Sequence, residues 1–351
     1  MKEEIIMKRV QEHYDYLQSL GYEVVCTCLQ GSQNYGLDEY SEEYMSDIDT
    51  KSIILPPLDD FIAAASPVST VVIMDNNEHA EVKDIRIMFE MFKKMNLSYI
   101  EILYTDFKVV NPKYEHLISP LFQKRDIIAS FNRNQFLRCV SGMAGEKRKA
   151  LCHPYPGLIE KIEKYGYDGK QLHHCARLAE FIIRYVQGTP LKECYLSKQK
   201  DKLMRFKKQL NEDGLPLSCK DAIVLCDFYR ETVYSIAHEN LTPEDEYVNE
   251  ARIILKELQC NIIKERIREE LLMDEEITIP KYNSLKSIYA MTVQDNKEDF
   301  EALYWTIAKL VSILENKGML DAEETKEILT VEPMPNLTGS EKPESEVSAW
   351  L

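Results

Sequence analysis

Gly31-Ser32-Gln33-Asn34-Tyr35-Gly36, followed after a polar spacer by Ser46-Asp47-Ile48-Asp49, is the stretch on which the reading of this chain turns. The segment before it, 22–29 (Tyr-Glu-Val-Val-Cys-Thr-Cys-Leu), is β-branched and apolar and predicts a strand that Gly31-Ser32 breaks. The segment after it, 47–55, resumes strand character and stops at Pro56-Pro57. Side chains alternate along a strand, so Asp47 and Asp49 are expected to share a face. Two carboxylates so close repel one another unless a cation lies between them. They are hard oxygen ligands of the kind Mg²⁺ takes, with Mn²⁺ as a substitute. Two such ions ~3.5–4 Å apart can clamp an in-line phosphoryl displacement. Gly31 permits close backbone approach, so the N–H groups at Gly31-Ser32, with the Ser32 hydroxyl, are expected to cradle a phosphate.

A third carboxylate is expected on a later strand. Residues 70–74 and 79–82 predict two short strands, with Asp75-Asn76-Asn77 as the hairpin between them. Glu81 is the choice for the third acid; Asp84 is the rival, but it stands where a helix over 84–95 begins and is placed to cap it. An amphipathic helix precedes the first strand over 2–19, and helices dominate from Arg133 onward. Thr242-Pro243-Glu244-Asp245 carries a helix-start signature, with the helix running to about Met273. The organisation expected is a small α/β domain over 1–130, a helical substrate- or acceptor-binding region over 131–330, and a disordered tail over 331–351.

At these residues the chain resembles the nucleotidyltransferase superfamily that includes DNA polymerase beta, and especially nucleotidyltransferases of bacteria and phages known only from sequence. The resemblance rests on Gly31-Ser32, Asp47-Ile48-Asp49 and Glu81-Val82-Lys83-Asp84-Ile85-Arg86. It continues through 96–103, 146–156 and 166–178, covering about residues 22–190. It departs from the family in its longer spacer before Asp47 and in having Glu rather than Asp at position 81. The resemblance implies an α+β fold, a small mixed-sheet polymerase-beta-like domain followed by a mostly helical region. It also implies catalytic, metal-binding carboxylates at Asp47, Asp49 and Glu81, nucleotide contacts at Gly31 and Ser32, and two Mg²⁺ ions.

Residues 166–190 predict a helix ending near Gln187, with Leu172, Cys175, Ala176, Ala179, Ile182, Ile183 and Val186 on its apolar face. Lys170, His173, His174, Arg177 and Arg184 fall on the other side at helical offsets. Such a face suits phosphate, and the family likeness favours Lys170, His174 and Arg177 as its contacts. Adjacent side chains diverge on a helix, so His173-His174-Cys175 does not make a zinc site. The cluster Lys147-Arg148-Lys149 is a second candidate for nucleic-acid contact.

The whole chain of 351 residues carries a net charge of −16, which argues against a general nucleic-acid coat. Residues 132–210 hold 17 Lys and Arg against 7 Asp and Glu, a net of +10, so the rest carries −26. A basic middle in an acidic protein suggests a local polyanion site. The nine cysteines include no CxxC pair and read as reduced and structural. No apolar run approaches a membrane span and the N-terminus lacks a signal-peptide core, so the expected location is cytoplasmic. Three functions compete. The first is Mg²⁺-dependent transfer of a nucleoside monophosphate from an NTP to a hydroxyl, with an RNA 3′ end such as tRNA favoured over a protein or small molecule. The second is a non-turnover nucleotide sensor or toxin–antitoxin partner. The third is a helical interaction protein with an incidental Asp-x-Asp.

Overall fold

The computed structural model describes residues 2–40 and 45–273, and one compact unit runs to Glu270. The chain opens with α1 (Lys2–Ser19), which buries Ile6, Val10, Tyr14 and Leu17 against the sheet as their spacing predicts. Then come β1 (Glu23–Gln30), β2 (Asp49–Leu55), the short α2 (Leu58–Ile62), β3 (Ser69–Ile73), β4 (His79–Asp84), α3 (Ile85–Lys93), α4 (Leu97–Ile100) with a 3-10 turn at Glu101–Leu103, and β5 (Lys108–Val110). Helices fill the rest: α5 (Glu115–Gln123), α6 (Arg125–Ala129), α7 (Arg133–Ala150), α8 (Ile159–Tyr165), α9 (Gly169–Val186), α10 (Leu191–Tyr195), α11 (Lys200–Lys207), α12 (Cys219–Glu239) and α13 (Asn249–Met273).

The five strands form one mixed sheet in the order β3-β4-β2-β1-β5. β2 runs parallel to β4 and antiparallel to β1; the β3–β4 hairpin and the β1–β5 pair are antiparallel. The fold class is therefore α+β. β1 and β2 are central and buried along almost their whole length; β1 reads as a near-continuous apolar run, whereas β2 buries Thr50, Lys51 and Ser52 ahead of its apolar Ile53-Ile54-Leu55. α7, α9 and α12 pack together behind the sheet, and a single core runs from Val25 on β1 to Ile262 on α13. The boundary expected near residue 130 does not interrupt that core. The expected helix beyond residue 273 and the tail over 331–351 lie outside the described residues.

Two sequence expectations need correction. β2 begins at Asp49, not Asp47, so Asp47 stands in the connection leading into the strand and the alternation rule does not govern it. The helix expected from Thr242 begins at Asn249. Asn134 on α7 explains the delay. Its side-chain oxygen accepts the Thr242 N–H at 3.0 Å, and its amide donates to the carbonyls of Thr242 (3.0 Å) and Glu244 (3.1 Å). Those bonds hold 242–245 as a turn against α7 and leave the helix to start later.

Candidate functional site

β1 ends where β2 begins, and their register pairs Gln30 with Asp49. The turn at Gly31-Ser32 therefore leaves the sheet beside Asp49. Gly31 has φ +96°, a conformation L side chains rarely adopt, with open space where a Cβ would stand. Gln33 Nε2 donates to the Asp47 carbonyl at 2.7 Å, tying the connection before β2 to the same turn. The Asp47 side chain is exposed. Asp49 is partly exposed, with Oδ1 3.2 Å from the His79 N–H and 3.3 Å from His79 Nδ1. Glu81 pairs across the parallel β2–β4 ladder with Lys51 and so shares the face of Asp49 and Gln30. It accepts from Gln30 Nε2 at 3.2 Å and faces Lys51 Nζ at 3.3 Å and Lys83 Nζ at 3.8 Å. Asp84 lies on the opposite face, fully buried, capping α3 and holding Arg86.

Behind this face sits an acid to which the sequence reading gave no role. Glu101 is 2 % exposed and accepts the Gly31 N–H at 2.8 Å, the Tyr35 hydroxyl, and the Asn34 amide at 3.4 Å. Burial raises its pKa above the ordinary carboxylate value, opposed by those donors and by the nearby charges of Arg177 and Lys51. Lys51 is equally hidden, at 1 % exposure, with Nζ 3.7 Å above the Tyr99 ring and donating to the Ser98 carbonyl at 3.2 Å. Burial pushes the Lys51 ammonium down, opposed by Glu81 and Glu101. The Gly31 N–H expected to face a phosphate is thus committed to Glu101. Among the described residues no acceptor meets the N–H groups of Ser32 and Gln33, which are the turn donors left open.

The helices supply the opposite charge. Several basic residues of the 132–210 stretch are neutralised by ion pairs: Arg138 by Asp245, Arg148 by Asp227, Lys149 by Glu146, Lys161 by Asp168, Lys192 by Asp106, Lys202 by Glu212 and Lys208 by Glu39. Arg184 of the expected cationic face bonds the Leu196 carbonyl at 2.6 Å and lies 3.8 Å from the Glu180 carboxylate. Among the described residues no carboxylate stands within ion-pair distance of Lys147, Lys170, Arg177 or Lys207. Arg177 is 6 % exposed and lies 3.8 Å from the Tyr35 ring centroid; its Nε and Nη1 are buried without a hydrogen bond. Burial, then the charges of Arg177 and Lys170, hold Lys147 below the ordinary lysine value. Burial and Lys170 do the same to Lys207, which also feels Asp47. His174, half-buried among them, is held well below its ordinary value by burial and then by His173, Arg177, Lys147 and Lys170. Gly169 makes this gathering feasible. A Cβ there would stand 2.4 Å from the Phe206 carbonyl and 3.0 Å from that of Lys207, so only glycine lets the start of α9 abut the end of α11.

No protein-family model matches this chain, and no curated protein does. Functional conclusions therefore rest on the site itself. Of the sequence-predicted residues, Gly31, Ser32, Asp47 and Asp49 come together at the β1–β2 end of the sheet, Glu81 lies on the same face, and Lys170, His174 and Arg177 lie in one cationic cluster. Lys51, Glu101, Lys147 and Lys207 join them. The acids present only oxygen ligands from adjacent strands, a set that fits a hard divalent cation by type and strand placement. As they stand they are engaged elsewhere, Asp49 with His79 and Glu81 with lysines. Among the described residues no three His, Cys, Asp or Glu side chains are gathered as a metal cluster. No helix among them is long and apolar enough to cross a membrane.

His173 does not belong to the cationic face. It is 5 % exposed, with Nδ1 2.8 Å from the Leu203 carbonyl on α11, and burial lowers its pKa to about 4. The unfolded chain takes up this proton near pH 6.5, whereas the folded chain refuses it until about pH 4. The stability involved is present above pH 6.5 and is lost as the pH falls through that window, up to roughly 3 kcal/mol. Urea denaturation from pH 7 to 4 is expected to show a falling midpoint, with a flatter decline for His173→Gln. Parallel declines would remove His173 as the source.

Proposed function

We propose that this chain is a nucleotidyltransferase that moves a nucleoside monophosphate from an NTP to a hydroxyl, with release of pyrophosphate. One observation carries the reading. Four basic side chains with no carboxylate in ion-pair distance among the described residues, Lys147, Lys170, Arg177 and Lys207, crowd together next to the Gly31-Ser32 turn and Asp47, and three of them are partly or fully buried. Like charges are costly to gather in this way unless a multivalent anion joins them. A triphosphate with its β- and γ-groups on these cations and its α-phosphate toward Asp47 and Asp49 meets that need. A nucleotide-binding polymerase-beta-like fold accommodates the same arrangement.

The acceptor oxygen attacks the α-phosphorus. Its O–P bond forms as the P–O bond to the β-phosphate breaks, and the hydroxyl proton leaves to a carboxylate at Asp47 or Asp49. Asp47, Asp49 and Glu81 would hold divalent ions, Mg²⁺ or Mn²⁺, which when bound supply neutralisation of the charge developing on phosphate. The N–H groups of Ser32 and Gln33 face the phosphates, Lys170 and Lys207 steady the departing pyrophosphate, and the buried Arg177 fixes its place against Tyr35. The acceptor class is the part of the sequence expectation that the site supports least. An RNA track needs a row of free cations, and the paired lysines and arginines of this stretch leave few beyond the phosphate cluster. RNA stays as one arm of the test beside protein and small-molecule hydroxyls.

The test is NTP binding and label transfer by the full chain with Mg²⁺ or Mn²⁺, offered total RNA, protein or small polyols. Lys170→Ala with Lys207→Ala is expected to weaken NTP binding by at least about tenfold, because each removes a charge-assisted contact. An unaltered affinity in the double variant, or no NTP binding by the parent chain, overturns the proposal.

A further inference from the structure

We infer that Glu78 is a positioning residue that fixes the Asp47–Ile48 peptide and thereby sets the placement of the two carboxylates on either side of it. The inference rests on the nucleotidyl-transfer reading for its consequence, though not for its geometry. Glu78 closes the β3–β4 hairpin, yet it is only 6 % exposed, unusual for an acid at a hairpin end. Its Oε1 accepts the N–H of Ile48, the residue between Asp47 and Asp49, at 3.1 Å. Its Oε2 is held by Arg9 Nη2 at 2.6 Å and lies 3.1 Å from His13 Nε2, both on α1. His13 is fully buried and places its other ring nitrogen 2.9 Å from Thr50 Oγ1, just beyond Asp49.

The other edge of the same peptide is held as well. The Asp47 carbonyl accepts Gln33 Nε2 at 2.7 Å. The Ile48 side chain, 2 % exposed, is pinned among Ile6, Val10 and Leu29. The peptide joining the two candidate ligand residues is thus bonded at its C=O by the Gly31-Ser32 turn and at its N–H by the β3–β4 hairpin. Asp47 lies outside β2 and has no ladder to place it, so these two side chains do what strand pairing does for Asp49. A reaction whose groups must be set within a fraction of an ångström depends on such support.

The experiment compares the full-length parent chain with Glu78→Ala and Glu78→Gln by amide hydrogen exchange and by Mn²⁺ binding followed by electron paramagnetic resonance. Glu78→Ala is expected to speed exchange at Ile48 by at least about tenfold while the β1 amides stay protected. It is also expected to weaken Mn²⁺ binding by roughly 10–100-fold. Glu78→Gln keeps a carbonyl for the Ile48 N–H and is expected to recover most of both. Unchanged exchange at Ile48, acceleration spread evenly over the sheet, or full Mn²⁺ affinity despite a loosened Ile48 each overturn the inference. A parent chain that binds no Mn²⁺ removes the nucleotidyl-transfer reading instead; the exchange data then decide alone whether Glu78 holds the peptide.

Discussion

Replacing Asp47 and Asp49 together by Asn is expected to lower label transfer by at least about 10³-fold while leaving the fold intact. Asn keeps the volume of Asp and, at position 49, a side-chain oxygen for the His79 N–H, now 3.2 Å from Oδ1. What it removes is negative charge. Asp47 is exposed and the Asp49 side chain is 40 % exposed, so neither charge holds up the core. Stability is therefore expected to change by only about 0.5 kcal/mol, as for ordinary surface substitutions. The separation of effects is the point of the experiment: activity collapses, the melting curve does not move. NTP affinity without metal is expected to persist, since the cationic cluster on α7, α9 and α11 is untouched. A double variant retaining a tenth or more of parental transfer would end the assignment of these two acids. One that bound NTP but shared its inactivity with the parent would point to the sensor reading.

The parts of this arrangement that were legible in the sequence are the local ones. A β-branched run broken by Gly31-Ser32 specified β1 and its turn, and a second run closed by Pro56-Pro57 specified β2 apart from its first residues. The α9 helix was readable end to end, since Asp168 accepts the Lys170 N–H as an N-cap and Gly188 follows its end. What stayed hidden were partners far apart along the chain. Glu101 meets Gly31 and Tyr35 across 66–70 residues, and nothing local marks a buried acid in a helical Leu-Ser-Tyr-Ile-Glu run. Lysine is rarely buried and nothing local marks Lys51 as hidden; only its contacts with Glu81 and Tyr99 explain its place. Lys207 became part of the cluster through the abutment of α9 on α11 at Gly169, a tertiary fact. The charge count, too, was only half informative. The excess of lysine and arginine over 132–210 is real, but acids such as Asp106, Asp227 and Asp245, from outside that stretch, absorb much of it.

Glu101→Ala is expected to be the most destabilising single substitution at the site, by about 3–5 kcal/mol. The carboxylate is the common acceptor of the Gly31 N–H, the Tyr35 hydroxyl and the Asn34 amide, and it lies within reach of two buried cations, Lys51 and Arg177. Truncation strands three donors at a buried position and removes a negative charge that acts on both Lys51 and Arg177. Burial raises the Glu101 pKa in spite of all these partners, so taking the charge out of water costs more than they return. Glu101→Gln separates the two contributions. It keeps an oxygen for the Gly31 N–H and escapes the desolvation of a charge, but gives up the attraction to Lys51 and Arg177 and the second oxygen that accepts from Tyr35. It is therefore expected to cost clearly less than Glu101→Ala, about 1–2 kcal/mol. At about 2–4 °C per kcal/mol for a unit of this size, the alanine variant should melt some 6–20 °C below the parent. Urea titrations at pH 7 should show the same order with an unchanged slope. If glutamine costs nothing, the charge of Glu101 does not stabilise Lys51 and Arg177. The link it makes between the carboxylate face of the sheet and the cations of α9 would then have to be sought in Tyr35, which stacks on Arg177 and donates to Glu101.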